Sequence, residues 1–133
     1  MKLTARSEYA LLALVYLARQ NSEEPVSADT IARAKAIPPK FLEQILLTLK
    51  RAKYLRSSKG QRGGYQLARP ADAVTLAEIV RLFEGALAPT ESTSRYFYSP
   101  SPIEKERRLL RLFRDVRDLV SKRLEATTIA DMV

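Results

Sequence analysis

Residues 59–70 read KGQRGGYQLARP and hold three of the chain's four glycines, two of its arginines and no acid. Four readings compete: a nucleotide phosphate cradle, an RNA-clamping loop, a slack linker and the tip of a β-hairpin. A phosphate loop of the Walker type wants Lys and Ser or Thr directly after its last glycine and a helix behind it. Here Gly63-Gly64 lead into Tyr65-Gln-Leu-Ala68, which alternates as a strand does. A dinucleotide fingerprint opens a helix inside a parallel unit, and the sequence offers no parallel strands. Gly60-Gln-Arg-Gly63 matches the four-residue loop with which KH domains grip RNA, but that loop joins two helices, whereas this one follows Tyr54-Leu-Arg-Ser57, a second short strand pattern. A linker explains neither the alternation nor Pro70, which closes the second strand. The hairpin tip accounts for the composition: the glycines allow a tight turn and close approach of backbone to a phosphate, and Lys59 and Arg62 supply charge.

Two short helices precede the hairpin. Ser27 reads as the N-cap of a helix over Ala28–Ala36, with Asp29 in its first turn, where a carboxylate suits the helix dipole. Ile37-Pro38-Pro39 stops it, because prolines donate no backbone hydrogen bond and restrict the residue before them. A third helix begins at once, proline being tolerated in a first turn, and runs to about Lys53. Ile31 and Ala32 face inward on the first of the pair. Leu42, Ile45, Leu46 and Leu49 form the apolar stripe of the second, opposite Lys40, Glu43, Gln44, Leu47 and Arg51. Helices this close form a helix-turn-helix, with a solvated helical hairpin as the plain alternative; the strand pair directly behind favours a winged helix. The predicted fold class is mainly α: a winged helix-turn-helix with a small two-stranded antiparallel wing, plus a long C-terminal helix.

The remaining chain fits around that unit. A first helix over Thr4–Gln20 is apolar nearly all round from Tyr9 and is expected to be the central buried helix. The run Tyr9–Ala18 could be the core of a signal peptide, but Glu8 abuts it, Arg19-Gln-Asn21 follows without a cleavage pattern, and ten residues fall short of a membrane span. The expected location is cytoplasmic, with no membrane partner. Thr75-Leu-Ala-Glu78 has the form of a capping box and opens a fourth helix that Gly85 ends. Residues 86–102, with three prolines and four serines, read as a loop. From Ile103 to Leu124 a stripe of Leu109, Leu112, Phe113, Val116, Leu119, Val120 and Leu124 marks an amphipathic helix. It could fold back on the first helix, but after a complete small unit it is more simply a dimer element. The expected organisation is a DNA-binding domain over 1–85, a loop over 86–102 and a dimerisation segment over 103–133.

Composition narrows the chemistry. Apolar residues make up 46% of the 133 and charged residues 29%, with no Trp, which fits one mostly helical domain with an appended element. The absence of both Cys and His removes disulfides, thiolate and imidazole metal sites and Ser–His triads, so an enzyme is not expected. The net charge of +8 is uneven: residues 1–70 carry thirteen Lys or Arg against five acids, and residues 71–133 carry ten of each. Between Glu43 and Asp72 there is no acid and there are seven cations, an unrelieved positive surface that calls for a polyanion partner.

Met-Lys-Leu-Thr4, Tyr9-Ala-Leu11, Ile31-Ala32, Phe41-Leu-Glu-Gln-Ile45, Lys59-Gly-x-x-Gly-Gly-Tyr-x-Leu67, Leu76-x-x-Ile79, Glu84-Gly85 and Thr128-Ile-Ala-Asp-Met132 together resemble the Rrf-two family of bacterial winged-helix regulators typified by IscR, NsrR, RirA and CymR. The resemblance spans essentially the whole chain, and Phe-Leu-Glu-Gln with Gly-x-x-Gly-Gly-Tyr is its most specific part. It implies homodimeric binding to double-stranded DNA, usually repression, with the last helix crossing to the partner subunit. It places base reading at Pro39, Lys40, Phe41, Glu43 and Gln44, where Glu43 can accept from a cytosine amino group and Gln44 can pair with adenine. Arg51 joins the DNA-binding set, Lys59 takes the basic wing position, and Arg62 adds charge beside it. Cluster-binding relatives carry three cysteines in the segment that is here Ala86–Pro102. This chain has none, so no cysteine-ligated iron–sulfur cluster, no other cofactor and no metal are expected. Tyr96-Phe97-Tyr98 reads as a hydrophobic plug over the last helix, or as a lid on a small ligand. The effector, protein or small molecule, stays open, and so does a second function: an interaction module that works through complex formation with a partner protein or enzyme.

Overall fold

The computed structural model describes residues 1–21 and 23–133. In chain order its elements are α1 (Ala5–Gln20), α2 (Ala28–Lys35), α3 (Pro39–Arg51), β1 (Leu55–Ser58), β2 (Gly64–Leu67), α4 (Leu76–Glu84) and α5 (Arg107–Glu125), with short 3-10 turns between and after them. Ser27 Oγ accepts from Thr30 N–H and caps α2, which Ala36 ends in the left-handed region. Pro39 then sits at the first position of α3. Helix α3 stops at Arg51, two residues short of the expected end, because Lys53 turns to φ 67° and sends the chain into β1.

Both strands lie one residue away from their expected bounds. Leu55 pairs with Leu67 and Ser58 with Gly64, antiparallel, leaving 59–63 as the tip. Sequence alternation located the strands but not the register, which a third segment holds: Val26 bridges Tyr65, with Tyr65 N donating to Val26 O at 2.8 Å and Val26 N to Tyr65 O at 2.9 Å. The residue just before the cap of α2 is thus also the anchor of the wing.

Leu14, Ile31, Leu42, Ile45, Leu46, Leu49, Leu55 and Ile79 form the buried core between α1, the helix pair and the base of the wing. Removing such a side chain from water contributes about 1.5–3 kcal/mol. Helix α1 is buried along Ala10, Ala13, Leu14 and Leu17, but Leu12 on its far side is 40% exposed, so α1 is covered from one direction rather than surrounded.

The C-terminus returns to this body. Leu76 N donates to Thr127 O and Ile129 N to Val74 O, both at 2.9 Å, and Ile129 enters the core. The last helix is shorter than its apolar stripe suggested: Pro102–Lys105 is a 3-10 turn, and Glu106, extended at φ −104° and ψ 92°, separates it from α5. Tyr96, Phe97 and Tyr98 are 68%, 44% and 59% exposed, so they do not form the expected plug; Ala88, Ser92, Thr93 and Ser94 do the burying there instead.

The capping box of α4 is complete, with Thr75 Oγ1 accepting from Glu78 N–H and Glu78 accepting from Thr75 N–H. Burial alone would raise the Glu78 carboxyl. Hydrogen bonds from the Thr75 backbone and hydroxyl and from Tyr54, with the charge of Arg69, outweigh it and hold the group below the ordinary glutamate range. A lowered carboxylate stabilises the fold at neutral pH, and that contribution is lost as pH falls through the folded value. Thr75→Ala should therefore cost about 1 kcal/mol at pH 7. In thermal melts, Glu78→Gln should be less stable than wild type at pH 7, with the gap closing under acid.

Candidate nucleic-acid interface

Helix α3 is split cleanly by its period. Leu42, Ile45, Leu46 and Leu49 are buried, while Pro39, Lys40, Phe41, Glu43, Gln44 and Arg51 are exposed. Lys40, Gln44, Leu47 and Arg51 follow one another at steps of four, three and four, so they form a single outward row. The Thr48 hydroxyl donates back to Gln44 O at 3.0 Å, which keeps its polar atom on the helix and off that row.

Lys59 and Arg62 stand exposed in the wing tip. Gly60 adopts φ 105° there, a conformation that residues with a Cβ rarely adopt. Gly64 is needed for space: a Cβ on it would lie 2.3 Å from Val26 O and 2.8 Å from Ser27 N. The wing root therefore passes in backbone contact with the segment that opens the helix-turn-helix.

Of the seven cations between Glu43 and Asp72, Arg69 alone forms an ion pair among the described residues, at 3.6 Å from Glu78. The Arg69 guanidinium also stacks on Tyr54 at 4.5 Å, and the Tyr54 hydroxyl donates to Glu78 Oε1 at 3.1 Å. This cluster ties the base of the wing to α4. Burial, and next the hydrogen bond to Glu78, raise the Tyr54 phenol above its usual range, so it stays a donor. The other six cations are exposed and form no ion pair among the described residues.

Two participants were missed in the sequence. Tyr9 of α1 packs edge-on against Phe41, with ring centroids 5.6 Å apart and planes at 88°, and so brings α1 beside the start of α3. Val26 is the wing anchor. The first had no signal at fixed spacing, since 32 residues separate the rings in sequence; the second hid in a polar connection.

A helix-turn-helix whose outward face carries Lys40, Gln44 and Arg51, followed by a basic, glycine-tipped wing, defines a winged-helix DNA-binding transcriptional regulator. The chain belongs to the Rrf2 family, described as iron-dependent transcriptional regulators, whose pattern it matches over residues 3–133. A Mycobacterium tuberculosis protein designated an HTH-type transcriptional regulator is 35% identical over 135 residues, covering 99% of this chain and 81% of its own. The HTH-type transcriptional regulator CymR of Bacillus subtilis is 31% identical over 132 residues, covering 99% of this chain and 89% of its own. The solved structure of that CymR, titled the global cysteine regulator of B. subtilis, superposes with a TM-score of 0.80 at 30% identity, over 99% of this chain and 95% of the other. IscR of T. potens gives 0.75 at 26% identity, over 99% and 85%. These are regulators and not enzymes.

The iron in the family's description finds no matching donor set among the described residues. The chain contains no Cys or His, and Glu91 is the single acid of residues 86–102. Five of the segment's Ser and Thr hydroxyls are engaged with one another and with backbone: Thr90 with Ser92 and Thr93, Ser101 with Ser92, and Ser94 with the N–H of Phe97. Among the described residues no three acidic, imidazole or thiol side chains converge. Neutral hydroxyls already occupied in this way are poor ligands for iron, and a cysteine-held cluster does not fit.

Proposed function

We propose that the protein is a cytoplasmic, homodimeric repressor whose DNA-binding domain spans residues 1–85. It reads duplex DNA with Pro39, Lys40, Phe41, Glu43 and Gln44 and holds the backbone with Arg51, Lys59 and Arg62. The observation that carries this reading is the outward face of α3 together with six exposed cations from Lys50 to Arg62, Arg51 belonging to both, that form no ion pair among the described residues. Within residues 103–133, helix α5 is the dimer element and the C-terminal segment packs back on the DNA-binding domain. Leu109, Leu112 and Leu119 of α5 are 46%, 53% and 71% exposed in the single chain, and a second copy would take them out of water. The signal it answers is not an iron–sulfur cluster.

Salt separates this reading from a protein-interaction module. Duplex binding releases counterions, so affinity should fall linearly on a log–log plot, with a slope of about −0.9 per phosphate neutralised. Arg62→Ala should weaken all duplexes alike and flatten that slope by about 1. Gln44→Ala should leave the slope alone and relax preference at one base position by about 1–3 kcal/mol. Fluorescence anisotropy between 50 and 200 mM salt, on about ten duplexes, measures both. A slope near zero would favour the interaction module.

A further inference from the structure

Three guanidinium groups converge where the segment after α4 crosses α5. Arg81 of α4, Arg95 of the segment and Arg117 of α5 line one small cavity with Ser94 and Ser121. Arg95 and Ser121 also border an open cleft of about 440 Å³ that takes in Asp118, Lys122 and Glu125. The open cleft is lined by two cations, Arg95 and Lys122, and two carboxylates, Asp118 and Glu125, and the adjoining small cavity adds Arg81 and Arg117 with no further acid.

A single acidic oxygen carries much of the internal compensation. Asp118 Oδ1 accepts from Arg117 Nε at 2.9 Å and from Arg95 Nη2 at 3.3 Å, and it lies 2.8 Å from Arg117 Nη2. The Asp118 side chain is 50% exposed, so it can swing into solvent at little cost. The guanidinium of Arg117 is fixed independently: its side chain is 17% exposed, and Nη1 donates to Thr93 O at 2.9 Å. Arg81 is fixed too, donating to Glu125 Oε1 at 2.6 Å and lying 4.8 Å over the Tyr96 ring. Planar, preoriented guanidinium groups are matched best by an oxyanion with several acceptor oxygens. One carboxylate oxygen shared between two of them is a substitute that such an anion can displace.

We infer that a phosphoryl oxyanion, either inorganic phosphate or the phosphate of a small metabolite, binds at the Asp118 edge of this cleft, with Arg95 and, from the adjoining small cavity, Arg117 taking its oxygens in place of Asp118, and with Lys122 at the rim. The site joins α4, the loop and α5, so the ligand would replace an intramolecular tie between the loop and α5. It is separate from the α3 row and the wing, and stands whether or not the DNA reading holds.

Arginine Nε–Hε signals in nuclear magnetic resonance spectra test it, with Arg95 and Arg117 assigned from the signals missing in Arg95→Gln and Arg117→Lys proteins. The full chain is titrated at pH 7 with inorganic phosphate, with glycerol phosphate and, at matched ionic strength, with sodium chloride. Saturable shifts of Arg95 and Arg117 with a phosphate ligand but not with chloride support the site. A response to both ligands or to inorganic phosphate alone identifies the free ion, and a response to the ester alone identifies a metabolite. Loss of one charge-assisted contact in Arg95→Gln should weaken binding about fivefold, and removal of the competing carboxylate in Asp118→Asn should tighten it about threefold. Arg95 is 56% exposed, so its substitution leaves the fold intact. Shifts confined to Arg51, Arg56 and Arg62, shifts reproduced by chloride, or equal affinity in wild type and both variants would overturn the inference.

Discussion

Gly64→Ala is expected to lower affinity for every duplex on the order of tenfold or more, a loss of at least about 1.4 kcal/mol, without altering base preference. The added Cβ would sit 2.3 Å from Val26 O and 2.4 Å from Val26 C, both backbone atoms that cannot rotate aside. Relief requires opening the Val26–Tyr65 bridge, which forfeits two hydrogen bonds worth about 0.5–1.5 kcal/mol each. The wing root then moves, and Lys59 and Arg62 move with it. Because Val26 precedes the Ser27 cap, the same displacement loosens the start of α2. Gly60→Ala separates strain from clash: φ is 105° there, but no atom lies within 4 Å of the added methyl group, so the tip should deform locally and retain most of its affinity. Thermal melts and anisotropy on both variants check the ordering.

The second large effect is on α5. Leu112→Asp with Leu119→Asp should turn a dimer into a folded monomer and weaken operator binding on the order of 100-fold, since the second half-site then no longer binds as part of one molecule. Both side chains are more than half exposed in the single chain, so the substitutions disturb nothing within it. Analytical ultracentrifugation and circular dichroism together read the result. An unchanged sedimentation coefficient would show that this face does not join two copies.

Much of this was legible in the sequence, for identifiable physical reasons. The Pro38-Pro39 break, the Ser27 cap and the Thr75–Glu78 box are local signals whose partners lie within a few residues, and the starts of α2, α3 and α4 followed from them. The stripe of α3 gave its exposed and buried faces directly. What escaped depends on contacts distant in the chain. The wing register is set by Val26, nearly forty residues before the bridge partner Tyr65. The start of α5 was obscured because apolar spacing continues through Ile103 while Glu106 breaks the helix. The exposed Tyr96-Phe97-Tyr98 looked like buried apolar mass, whereas Tyr96 lies against the Arg81 guanidinium. The solvent-facing positions of α3 and of the wing tip were legible because the helical period and the glycine spacing are visible without coordinates. The grouping of Arg81, Arg95 and Arg117 was not, since they come from α4, the 86–102 segment and α5.

The most direct test is selection of random duplexes by the purified full chain at 150 mM salt, followed by sequencing of the retained fraction. The account predicts an enriched inverted repeat whose half-sites lie about one helical turn, or a multiple of it, apart centre to centre. Retained DNA indistinguishable from the input would contradict it.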